Sequence, residues 1–92
     1  MAKLTLEIIT GEQCLFREEE IDAVVAPGMI GELGVLPNHA PLVTSLTSGE
    51  LRVRKDSAEM PFFIAGGFLQ VQNDVVTVLA DSAERGDEID LE

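Results

Sequence analysis

Chemistry needs reactive side chains at workable spacings, and this sequence offers few. Its single cysteine, Cys14, and single histidine, His39, are the pair a thiol hydrolase would need, since the nucleophile must sit beside a base. They fall in different segments, and Cys14 alternates with Phe16 as a small residue of a core or sheet face. No GxSxG supplies a serine nucleophile. A lone histidine without CxxC or HExxH spacing lacks the ligand density zinc requires. The run Glu18-Glu19-Glu20 could draw a hard cation, but calcium loops need ligands at fixed offsets around a turning glycine. It reads instead as a charged, solvated edge that blocks unwanted strand pairing. Gly28, Gly31 and Gly34 recur at every third position without the Lys or GK[ST] of a phosphate loop. Glu32 would repel an anion there, so these glycines read as sources of positive φ in successive turns. No catalytic residue, cofactor site or metal site is expected.

What remains is interaction. In GELGVLPNHAPL (31–42), Gly31 and Gly34 permit tight turns around Glu32-Leu33, while Pro37 and Pro41 fix φ on either side of His39. Such stiffening lowers the ordering entropy lost when a loop docks on a partner. On spacing alone, a well-made corner holding a satisfied histidine is the equal alternative.

The elements that must carry this window are strands. Leu4, Leu6 and Ile8 alternate with Thr5 and Glu7, the period-2 mark of a half-buried strand. IDAVVA (21–26) is β-branched and is expected to stop at Pro27-Gly28. APLVTSL (40–46) and ELRVR (50–54) follow, with Leu51 and Val53 on one face and Arg52 and Arg54 on the other. PFFIAGGFLQVQ (61–72) reads as one long strand with a bulge or close backbone approach at Gly66-Gly67. Asn73-Asp74 makes a tight turn, from which VVTVLA (75–80) returns as a hairpin partner. DSAERGDEIDLE (81–92) loses the alternation, and Asp81 or Ser82 could cap a single helical turn. About eight short strands separated by turn signals predict an all-β, flattened sandwich or barrel.

A chain of 92 residues suits one small domain. Seventeen acidic against six basic residues give a net charge of −11, which argues against nucleic acid as a partner, because phosphate binding needs clustered Lys and Arg. Acidity favours a partner with exposed positive charge instead. One cysteine precludes an internal disulfide and fits a reducing compartment. No apolar run approaches the ~18 residues of a membrane span, and MAKLTLEIIT is unlike a secretory signal. A soluble, intracellular-facing protein is expected.

Six stretches, TGEQCLF (10–16), APG (26–28), GELGVLPNHAPL (31–42), GELRVR (49–54), AGGFLQV (65–71) and VTVLADSAERGDEID (76–90), carry a resemblance that covers nearly the whole chain. Together they resemble the epsilon subunit family of the F-type ATP synthase, called delta in mitochondria, in its N-terminal β-sandwich domain. The resemblance implies a sandwich of about ten strands over 1–84, with an acidic tail over 85–92. It implies a non-catalytic central-stalk component that binds the gamma subunit and the ring of c subunits, coupling proton-driven rotation to ATP synthesis elsewhere. It places such a protein peripherally on the cytoplasmic face of a bacterial inner membrane, or on its thylakoid or mitochondrial equivalent, without membrane insertion.

Carried over by position, Glu32 with Gly31 matches the contact with the ring's polar loops, which carry arginine in the family. His39, Thr10 and Thr44 match positions facing gamma. Ile30 stands where many relatives have an acidic residue, implying a less polar ring contact. Asn38 stands where glycine is usual, and asparagine tolerates the left-handed conformation. Relatives usually continue into a C-terminal helical hairpin that can inhibit ATP hydrolysis and, in some members, bind ATP. Here the chain ends just after EID (88–90), so no hairpin and no nucleotide are expected. Apart from the resemblance, the residues leave open a free-standing acidic β-sandwich adaptor for a basic protein partner.

Overall fold

A computed structural model describes residues 2–11 and 13–86. These form ten strands and no α-helix: β1 (Leu4–Thr10), β2 (Gln13–Ile21), β3 (Ala23–Gly28), β4 (Gly31–Val35), β5 (Leu42–Leu46), β6 (Gly49–Lys55), β7 (Ala58–Ile64), β8 (Gly67–Gln72), β9 (Val75–Ala80) and β10 (Ala83–Arg85). The all-β sandwich expectation holds. Among the described residues no helix is long and apolar enough to cross a membrane.

The strands form one sheet in the order β10-β7-β6-β3-β5-β8-β9-β1-β2, with β4 paired to β3 off that path. It curls into a nearly closed, barrel-like sandwich. One half is β10, β7, β6, β3 and β4; the other is β5, β8, β9, β1 and β2. The chain passes between halves five times, two of these passages being the corners from β2 into β3 through Asp22 and from β5 into β6 through Thr47-Ser48, as strands do where sheets meet at a bend. At the second corner Leu46 pairs with Gly28, and the Thr47 amide donates to Pro27 O at 2.8 Å.

Alternation dictates what faces inward. Leu4, Leu6 and Ile8, Leu51 and Val53, Leu69 and Val71, and Val76 and Val78 are buried from both halves, joined by Ile21, Val24 and Val35. No described polar or charged residue is buried. Apolar burial is therefore the main cohesive term, and removing one such Leu or Ile side chain is expected to cost roughly 2–5 kcal/mol.

Four expectations change. β3 runs through Pro27-Gly28, and the turn falls on Met29-Ile30. Residues 31–35 are a strand, not successive turns: Gly31 alone of the three glycines has positive φ, at 141°. Gly28 is required for a different reason, since a Cβ there would lie 2.7 Å from Gly31 O. Residues 61–72 are not one bulged strand; β7 and β8 belong to different halves, separated at Ala65-Gly66. The expected close approach is nonetheless present, because a Cβ on Gly67 would fall 2.0 Å from Leu79 O. Asp81 and Ser82 form a bend leading into β10 and cap no helical turn; the one described residue in 3-10 conformation, Gly86, comes only after β10. The division expected at 84/85 falls inside β10, and positions 87–92 of the tail lie outside the described residues.

Two turn residues behave as their chemistry predicts. Asn73 and Asp74 both have positive φ, at 52° and 63°, the conformation that closes a two-residue hairpin. Asn38 adopts φ 70°.

Candidate functional site

The β3–β4 hairpin places Glu32 opposite Pro27 and Gly31 opposite Gly28. Its tip carries Met29, 65% exposed, and Ile30, fully exposed. A groove of about 460 Å³ separates this hairpin from β5, lined by Met29, Ile30, Glu32, Leu33, Leu42 and Thr44 among others. Glu32 accepts a hydrogen bond from Arg52 Nη2 at 2.7 Å. Gly31, Glu32 and Thr44 thus share one groove, although the family resemblance divides them between two partners.

His39 and Thr10 do not line that groove. His39 is half-buried in the 36–41 connection, with Nδ1 2.7 Å from Ala40 O and its amide donating to Leu36 O at 3.2 Å. The same connection is tied to the β8–β9 turn, where the Asn38 amide donates to Asp74 Oδ1 at 2.7 Å. Thr10 closes β1, opposite Gln13 of β2 and Ala80 of β9.

Between Thr44 on β5 and Thr10 on β1 lies a feature that site-by-site reading of the sequence missed. The register sets Ser45, Phe68, Leu79, Ile9 and Cys14 side by side across five strands. Ser45, Phe68, Leu79 and Ile9 each neighbour a buried residue of their own strand and so occupy the outer face of this half. The register shift between β1 and β2 brings exposed Cys14 beside Ile9. Phe68 is 54% exposed, Leu79 45% and neighbouring Val43 70%. The signal was present in the sequence: GFLQVQ and VVTVLA place Phe68, Val75 and Leu79 at positions where a one-sided strand would be polar. Strands apolar on both faces are ordinarily covered on both.

Elsewhere the exterior is ionic. Lys3 donates to Asp22, whose Oδ2 also accepts the Asp56 amide at 2.9 Å. The Asp22 carboxyl is held below its ordinary pKa, first by the Lys3 hydrogen bond and then by the Asp56 amide. Lys3 and Lys55 are raised above theirs, chiefly by hydrogen bonds to Asp22 and Glu18. The acidic run is thereby used for structure: Glu18 meets Lys55, Glu19 meets Arg17, and Glu20 takes φ 62° at a bulge between Glu18 and Ile21.

No cluster of three or more His, Cys, Asp or Glu suited to a metal occurs among the described residues. Cys14 is exposed on the outer face rather than in the core, with Sγ 3.5 Å from Phe16 O. It lies on β2, whereas His39 lies on the β4–β5 connection, and the structure records no contact between them.

Residues 3–86 match the family model for the ATP synthase delta/epsilon chain, β-sandwich domain. The ATP synthase epsilon chain of Dehalococcoides mccartyi is 54% identical over 91 residues, covering 99% of this chain and 64% of that relative. That of Desulforamulus reducens is 54% identical over 87 residues, covering 95% and 65%. The chain therefore spans a little under two thirds of the length of these relatives. Among solved structures, a chain in the Euglena gracilis mitochondrial ATP synthase (OSCP/F1/c-ring) superposes with TM-score 0.87 at 28% identity, covering 98% of this chain and 57% of that one. A chain in the Tetrahymena thermophila mitochondrial ATP synthase central stalk/c-ring gives TM-score 0.74 at 16% identity, covering 98% and 80%, a likeness of fold.

Proposed function

The chain belongs to the ATP synthase delta/epsilon family through its β-sandwich domain, and from that premise we propose that it serves as the epsilon subunit of an F-type proton-translocating ATP synthase. In this reading it is a non-catalytic part of the central stalk. It binds gamma and the c ring, transmits rotation between them, and sits peripherally on the cytoplasmic face of the membrane.

The observation that carries the reading is the uncovered apolar row Phe68–Leu79–Ile9 with Val43. The two threonines matched to gamma-facing positions lie on strands of this half but on its opposite face, since Thr44 pairs with buried Leu69 and Thr10 with buried Ala80. The apolar row itself, and not these threonines, therefore supports the contact. Apolar side chains at the centre of an interface supply most of the affinity, with polar groups at the rim setting register. Gamma accordingly lies across this face. The β3–β4 hairpin reaches the ring with Met29, Ile30 and Glu32, a contact part apolar and part ionic.

The test is binding to isolated gamma, followed by proton-coupled ATP synthesis in membranes depleted of the chain. A stable complex and lost coupling are expected. Native pull-down of a basic partner other than gamma would support the adaptor reading instead.

A further inference from the structure

Glu32, the carboxylate set against the ring in the proposed reading, is not a free charge. On β3, Val25 pairs with Arg52 on one side and Gly34 on the other. Strand alternation then brings Glu32, two residues before Gly34, onto the face that Arg52 occupies. Arg52 reaches across β3 and donates from Nη2 to Glu32 Oε2 at 2.7 Å, its own side chain 34% exposed and that of Glu32 70%. Oε1 has no protein partner among the described residues. A carboxylate offers about four lone-pair sites and can serve two cationic donors at once.

Resting on the reading of Glu32 as a ring contact, we infer that Arg52 is its positioning residue. Arg52 holds Oε2 and presents Oε1 outward, so that the carboxylate bridges Arg52 and a guanidinium or ammonium on the docking loop. Two features favour bridging over competition. The attachment uses one oxygen and leaves the other available. Fixing a rotamer-rich glutamate before docking also removes part of the ordering entropy that binding would otherwise consume. The surrounding surface belongs to a chain of net charge −11, so one arginine does not cancel its attraction for a second cation.

The experiment uses the complex of this chain with gamma and the purified c ring in detergent. Arg52→Gln should weaken ring binding about two- to fivefold, the range of a partly exposed ion pair, and Arg52→Lys should restore part of the loss. Glu32→Gln should weaken binding at least as much, and the double variant no further, because Arg52 acts through Glu32. Tighter binding by Arg52→Gln, or losses that simply add, overturns the inference. In the free chain, three-bond NMR couplings should show one dominant Glu32 rotamer that averages in Arg52→Gln; averaging in the wild type also overturns it. If the wild-type complex ignores the ring while the couplings are ordered, the docking reading falls and the bridge with it. If it binds and the Arg52 variants are indistinguishable from wild type, only the inference falls.

Discussion

Two regions of the same sheet solve opposite problems. Around Asp22, where β2 turns into β3, charged and polar groups are used within the chain: Lys3 and the Asp56 amide on the carboxylate, the Asp22 amide on Arg54 O, and Lys55 on Glu18 nearby. Around the β3–β4 hairpin and the outer face of β5, β8, β9 and β1, large apolar side chains remain open: Ile30, Met29, Val43, Phe68 and Leu79. The first region closes the fold at a corner through directional bonds. The second contributes little to holding the fold together, because exposed side chains bury little area. The difference separates residues kept for folding from residues free to meet a partner.

The sharpest way to break that contrast is to charge the open face. Phe68→Asp with Leu79→Asp should lower affinity for gamma by about 30-fold or more, the scale of losing a central interface anchor. Isothermal titration calorimetry checks this, with unfolding in urea as the control for stability. A large loss of stability with unchanged affinity would place the face on the folding side of the comparison.

Next in size is the hairpin that carries the tip. Gly28→Ala sets a Cβ against Gly31 O and should destabilise the chain by about 1–3 kcal/mol, as overpacking does. Chemical denaturation measures it.

The ionic corner should respond more gently and with a definite pH signature. The Asp22 pKa lies below its ordinary 3.8, so its contribution is present above that value and is lost as pH falls through the depressed folded pKa. Lys3 and Lys55 lie above 10.5; their contributions are full below that value and are lost as pH rises through the raised pKa values. Thermal melts from pH 2 to pH 6 should show Asp22→Asn shrinking the wild-type acid dependence. The difference should also narrow in high salt.

Smallest of all is the tip. Met29→Ser with Ile30→Ser should leave stability within about 0.5 kcal/mol, since exposed substitutions touch nothing in the fold. The same pair should weaken ring binding, so a stability change without a binding change would reverse their assignment.

Much of the fold was legible residue by residue. The alternations in LTLEI and ELRVR correctly named the buried faces, and Asn73-Asp74 announced its turn through left-handed tolerance. Pro27-Gly28 misled, because proline at a turn and proline within a pleated strand look alike until hydrogen-bond partners are known. Here Pro27 lacks an amide to give, but its carbonyl accepts from Thr47. The glycines of 28–34 misled for a similar reason. Only Gly31 uses positive φ, Gly28 is small for a neighbouring carbonyl, and Gly34 is ordinary extended chain.

The candidate site was legible by position and opaque by arrangement. Resemblance selected Glu32, His39, Thr10 and Thr44. It did not reveal that Glu32 is already held by Arg52, twenty residues away in sequence, or that the strands carrying the threonines turn an apolar row outward on their other face.

By itself the sequence determined an all-β chain, its inward-facing residues, its acidity and its family, because these rest on local periodicity, charge and short ordered motifs. Only the tertiary structure decided that β1 lies parallel beside β9, that Phe68, Leu79 and Ile9 become neighbours, and that Arg52 meets Glu32. Period-2 alternation tells a side chain which face to take, but it carries no information about which strand comes alongside. That is settled by the joint burial of the whole core.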